Sequence, residues 1–122
     1  MHEVIPDEHH VVRYLTGGEV EVRGQTVVLS LNATLYEPDM SVDWHERTTL
    51  ADGYERQPRS AAHAIWNAGR LREVGENVLH KPLEANPAHC EVCTPDGQKR
   101  SKQQKYTLAQ IATQISVKPS AE

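Results

Sequence analysis

Phenylalanine is missing altogether from the 122 residues, and the remaining aromatics are two tryptophans and four tyrosines. With only 38 % of the chain apolar, the core is expected to be small, and the length suits one domain, not two. The interleaved aromatics of a single-strand binder are lacking, which disfavours general nucleic-acid binding. No apolar run approaches the twenty residues of a membrane span, so a membrane protein is not expected. The opening MHEVIPDEHH has no basic end followed by an apolar stretch, so a secretory signal is not expected either. Two cysteines cannot build a disulfide framework, and the expected compartment is the cytoplasm. Gly-x-Gly-x-x-Gly, phosphate-loop and Gly-x-Ser-x-Gly motifs are all absent, and with them the dinucleotide, nucleotide and serine-hydrolase chemistries they serve.

Histidine is what the chain has in quantity, with seven copies. Charge is uneven. Residues 1–57 hold eleven acids and four bases, a net of −7, whereas residues 58–122 hold six acids and nine bases, a net of +3; together they give the overall −4. The basic share concentrates in Lys99, Arg100, Lys102 and Lys105, which on an acidic protein reads as a solvated loop or helix start.

The β-branched and aromatic run over residues 9–15 predicts a strand, stopped by Gly17-Gly18. Residues 19–23 alternate with period two, Gly24-Gln25 is a two-residue turn, and residues 26–31 return as a more buried strand. In this hairpin Val20 and Val22 face one way and Glu19 and Glu21 the other. Ser41-Val42-Asp43-Trp44 suits either a short strand or the capped start of a helical turn, and Asp52-Gly53 with Pro58 suits a loop. Ala61, Ala64, Ile65, Ala68 and Leu71 form one stripe at helical spacing, so a helix is predicted from the cap Ser60 to about residue 74, stopped by Gly75. Residues 76–80 and 88–93 read as strands, and Thr94-Pro95-Asp96-Gly97 as a turn. A last helix carries Leu108, Ile111, Ala112 and Ile115, capped by Thr107 with Gln110 or earlier by Ser101 with Gln104. The fold class is α+β: one domain over residues 1–122, ordered from about 9 to 116 with a frayed tail, its mostly antiparallel sheet packed by two helices on one face. Val28, Ile65, Leu71, Val78, Val92, Leu108, Ile111 and Ile115 should be mostly buried, with Trp44 and Trp66 as core anchors.

Two constellations carry chemistry. Cys90 and Cys93 form a Cys-x-x-Cys, half of a tetrahedral zinc site that His80, His89 or His45 would have to complete. A regular strand would turn the two thiols to opposite faces, which favours Cys90 as a buried apolar residue. A redox role would need a helix start where Thr94-Pro95 stands. The second constellation is Arg13, His80 and His89. Two imidazoles titrating near neutrality can act as base and acid in phosphodiester cleavage without metal, while a guanidinium holds the phosphate. Satisfied histidines are the commoner reason for such residues on strands.

As a set, His10-Val11-Val12-Arg13-Tyr14, Ser41-Val42-Asp43-Trp44-His45-Glu46 and Asn86-Pro87-Ala88-His89 resemble the segments His-x-x-Arg-Tyr, Ser-Val-x-Trp-x-Glu and Asn-Pro-x-His of a group of small uncharacterised bacterial proteins. The resemblance spans roughly residues 9–115 and implies a compact bacterial cytoplasmic domain, with no activity attached. His45 replaces an apolar residue of that pattern, and Cys93 stands where the pattern varies. The expectation is therefore an accessory module that binds a protein partner or a second copy of itself, without cofactor. A histidine-based, toxin-type ribonuclease using Arg13, His80 and His89 is the first alternative, and a zinc domain using Cys90, Cys93 and His80 the second.

Overall fold

A computed structural model describes residues 2–30, 35 and 37–119. Among these, eight strands and three α-helices follow in the order β1 (His10–Leu15), β2 (Val20–Arg23), β3 (Thr26–Leu29), β4 (Asp39–Trp44), α1 (Leu50–Arg56), β5 (Ala62–Asn67), α2 (Ala68–Glu73), β6 (Asn77–His80), β7 (His89–Cys93), α3 (Lys102–Ile111) and β8 (Gln114–Val117). Six strands make one sheet in the order β6-β7-β4-β1-β5-β8, every pair antiparallel, and β2 with β3 stands apart as a hairpin. The class is α+β. No described helix is long and apolar enough to cross a membrane.

Because side chains alternate along a strand, each strand contributes to two faces. One face gathers Val11, Leu15, Met40, Val42, Trp44, Ala62, Ala64, Trp66, Val78, Cys90 and Val92, closed by Ala68 and Leu71 of α2 and Leu108 of α3. Trp66 anchors α3 by donating its indole N–H to the Leu108 carbonyl at 2.8 Å. The opposite face holds Val12, Tyr14 and Ile65 beneath Leu50 and Tyr54 of α1. The helices α2 and α3 thus share a face, and α1 covers part of the other.

The predicted helix over residues 60–74 is the main departure. Residues 62–67 form β5, bound along all six positions to β1 and along four to β8. Both sides of β5 are buried, so it lacks the alternation of a half-exposed strand. The helix begins only after Asn67, whose side chain accepts the Arg70 N–H, and Gly75 ends it at φ +93°. Asp52 and Gly53 lie in α1, started by Thr49 accepting the Asp52 N–H, and not in a loop. Ser101 and Gln104 form the capping box of α3. Ile115 leaves that helix for β8. Of the expected core, Ile65, Leu71, Val78, Val92 and Leu108 are buried, whereas Val28, Ile111 and Ile115 are half-buried; Val22, on the apolar side of the hairpin, is exposed. Order also extends beyond the expected start, because Ile5 is packed in the core. The expected frayed tail 117–122 begins in order, because Val117 ends β8 and Lys118 donates its N–H to the Ala61 carbonyl at 2.8 Å; Leu31 and residues 120–122 lie outside the described residues.

Arg100 is the most consequential correction. It is fully buried, not solvated: Nη2 lies 2.5 Å from Glu76 Oε1 and 3.1 Å from the Val92 carbonyl, and Nη1 donates to the Glu37 carbonyl at 2.6 Å.

Candidate functional site

Arg13, His80 and His89 do not converge. Arg13 on β1 and His80 on β6 are three strand spacings apart, roughly 14 Å across the sheet. His80 is opposite Cys90 in register, so it shares the core face with that residue, while His89 points to the other side. Both nitrogens of His80 are used: Nε2 donates to the Pro87 carbonyl at 2.9 Å and Nδ1 accepts the Glu3 N–H at 3.0 Å. This fixes the ring as the neutral Nε2–H tautomer. His89 Nδ1 donates to the Lys81 carbonyl at 2.8 Å. Arg13 donates from Nη1 to the Ser41 carbonyl at 3.0 Å, with Glu19 at 3.7 Å.

Nor do the cysteines share a face. Cys90 and Val92 point into the core and Cys93 away from it. Burial pushes both thiols up to about 12, with Asp43 adding to the effect at Cys90 and Asp39 at Cys93. Cys93 instead lies with Asp39 and Glu91, their ligand atoms within 4.8 Å of one another, and Lys81 is 3.1 Å from Glu91. A structural zinc held by Cys90, Cys93 and His80 is therefore not assembled. Purified protein is expected to carry well under one equivalent of zinc and to keep its far-UV spectrum in a chelator; a stoichiometric metal whose removal unfolds the chain would contradict this.

What the sheet does bring together are the three segments that carry the resemblance, on the neighbouring strands β1, β4 and β7. His10 donates its backbone N–H to Glu46 Oε1 at 2.8 Å, and its Nδ1 is 2.7 Å from Oε2. Asn86 donates to Asp43 Oδ1 at 2.8 Å, and Arg56 of α1 donates to Oδ2 at 2.7 Å. Asp43 is thus a buried carboxylate with both oxygens engaged. Beside it, Tyr54 and His63 Nδ1 are 2.7 Å apart, and the Tyr14 ring stacks edge-on against Tyr54 at 5.0 Å between centroids. Burial raises both tyrosines to about 12, and the nearby Asp43 carboxylate contributes at Tyr14.

This layer beneath α1 contains buried polar atoms without a protein partner: the Tyr14 hydroxyl, His63 Nε2 and His45 Nδ1. Such atoms are uncommon and concentrate at functional sites or around buried water. Sequence reasoning missed Asp43, Tyr54, Arg56 and His63 because the segments carrying them meet only through the sheet register. Reading residues 62–67 as a strand would have placed His63 and Ile65 on one face. Comparison with protein-family models, with curated proteins and with solved structures finds no match.

Burial first, and then His45, holds the His63 imidazole below its usual range. The unfolded chain begins to protonate this ring near its ordinary pKa of about 6.5, where the folded chain still keeps it neutral. Unfolding then takes up a proton, so stability at this site is complete above that pH and falls as the pH drops through it. Urea unfolding on either side of that pH should show the loss in the wild type and a smaller loss in His63→Gln. Equal losses would remove His63 as the cause.

Proposed function

We propose that the protein is a partner-binding module of the bacterial cytoplasm whose docking surface lies beside the edge strand β6. The observation that carries this reading is a groove of about 460 Å³ lined by Val4, Val78 and Leu79, with His2, Glu3, Arg72, His80 and Lys81 around it. Val4 is 88 % exposed and Leu79 42 %. Single exposed apolar residues are ordinary on a protein surface, but two lining one groove favour an apolar partner group. The outward carbonyls of β6 are covered, His80 by His2 Nδ1 at 2.6 Å and Val78 by Arg72 at 3.4 Å. A partner would therefore dock by its side chains and not by adding a strand. The two free, buried thiols suit a reducing compartment, and the segments around Arg13, Trp44 and His89 support a bacterial setting by their resemblance.

The alternative, phosphodiester cleavage by two histidines, requires both rings within hydrogen-bond reach of one phosphate. His80 and His89 on opposite faces argue against it. RNA incubated with wild type or with His89→Ala should remain equally intact. Cleavage by the wild type that disappears in a folded His89→Ala variant would replace the binding module with the enzyme.

A further inference from the structure

The sheet has an opening that the partner-binding reading does not use. β1 and β4 are both six residues long, yet they pair only at Val11 with Trp44 and Val12 with Asp43. Beyond that point the ladder between them stops, and a cleft of about 410 Å³ is lined by residues of both strands and of the segment after α1. Arg13 and Arg59 supply two guanidinium groups, and Ser41 and Ser60 supply hydroxyls.

Arg13 is held by a carbonyl and by a long ion pair. Its Nη1 is spent on the Ser41 backbone carbonyl, and Nη2 is 3.7 Å from Glu19, longer than a charge-assisted hydrogen bond. Glu19 directs its other oxygen to the Thr16 N–H at 3.0 Å and the Thr16 hydroxyl at 3.1 Å, where it caps the turn. The Nε–H of Arg13 is buried with no acceptor. Arg59 is exposed, and among the described residues no carboxylate pairs with it. Two cations thus share one carboxylate, Glu19, in a chain whose net charge is −4. Burial lowers the affinity of Arg13 for its proton, an effect that Glu19 opposes and the more weakly acting Arg100 reinforces.

We propose that the cleft between β1 and β4 binds a phosphate-type oxyanion, held by Arg13 from the sheet and Arg59 from the segment after α1. Guanidinium forks match the oxygens of a phosphate in pairs, and the hydroxyls around them donate from further directions, which suits a tetrahedral anion better than a planar carboxylate. The cleft is also larger than a bare phosphate needs, in the range of small-molecule sites, so a phosphate monoester fits the same chemistry.

The test is a titration followed by nuclear magnetic resonance of the arginine Nε–H groups, with inorganic phosphate, phenyl phosphate and acetate as separate probes. Both phosphates should give a saturable shift at Arg13, phenyl phosphate the stronger if the natural ligand is a monoester and inorganic phosphate if it is the free ion. Arg59→Gln, which removes an exposed group and leaves the fold intact, should weaken either by about tenfold, the equivalent of one charge-assisted hydrogen bond. No saturable shift in the millimolar range would overturn the proposal. So would equal binding by Arg59→Gln, or acetate binding as tightly as phosphate.

Discussion

Glu76→Ala is expected to lower the stability of the chain by about 3–5 kcal/mol, the cost of leaving a buried charge without its partner. Arg100 and Glu76 are both almost inaccessible to solvent, and Arg100 also fastens the Glu37 and Val92 carbonyls. One side chain therefore ties the segment before β4, the strand β7 and the turn between α2 and β6. Glu76 could not simply be replaced by water, because the space around the guanidinium is closed. In a domain of this size the loss corresponds to a fall in melting temperature of roughly 12–20 °C. Replacing both partners by apolar residues, Arg100→Met with Glu76→Leu, should recover much of the loss, since no charge then stays buried. Denaturant unfolding of the single and double variants gives the comparison. A loss under about 1 kcal/mol for Glu76→Ala, the range of exposed pairs, would mean that the pair is not buried as described.

Gly53→Ala carries the second large effect, about 3 kcal/mol, at the upper end of what overpacking costs. In an exposed helix the same change would stabilise by roughly 1 kcal/mol, because alanine is the better helix former. Here the added Cβ would lie 1.8 Å from the Tyr14 hydroxyl oxygen and 2.0 Å from the ring carbon that bears it. The Tyr14 ring is buried and packs edge-on against Tyr54 of α1. Gly53 is thus the point where α1 approaches the sheet closely enough to cover it. Shortening the opposing side chain should relieve the clash, so Gly53→Ala with Tyr14→Leu should be less destabilised than the two single losses added together. Additive losses, or a stabilising Gly53→Ala, would show that α1 does not rest on Tyr14.

Much of this architecture was legible in residue order. The hairpin β2–β3, strands β1, β6 and β7 and the stop at Gly75 followed from period-two alternation and turn chemistry, which act locally. β5 was hidden because its stability is not local. Ala62, Ala64 and Ile65 also fit a helical stripe, and only six register pairs with β1 and four with β8 make the segment extended. Arg100 looked like one of four surface cations because its partner Glu76 is 24 positions earlier in the chain. The divergence of Cys90 from Cys93 could be anticipated, since it needs only strand alternation. The layer of Asp43, Tyr54, Arg56 and His63 could not, because it assembles across β4, α1 and β5. The cleft at Arg13 depends on where β1 and β4 stop pairing, and no local pattern encodes that.

The partner-binding reading is tested most directly by photocrosslinking in the cell from position 79, at the centre of the groove beside β6, with position 23 on the exposed hairpin as control. A discrete adduct with one protein is predicted from position 79, absent from position 23 and lost when Val4 is replaced by Asp. Identical adduct patterns from both positions, or none from position 79, would contradict the account.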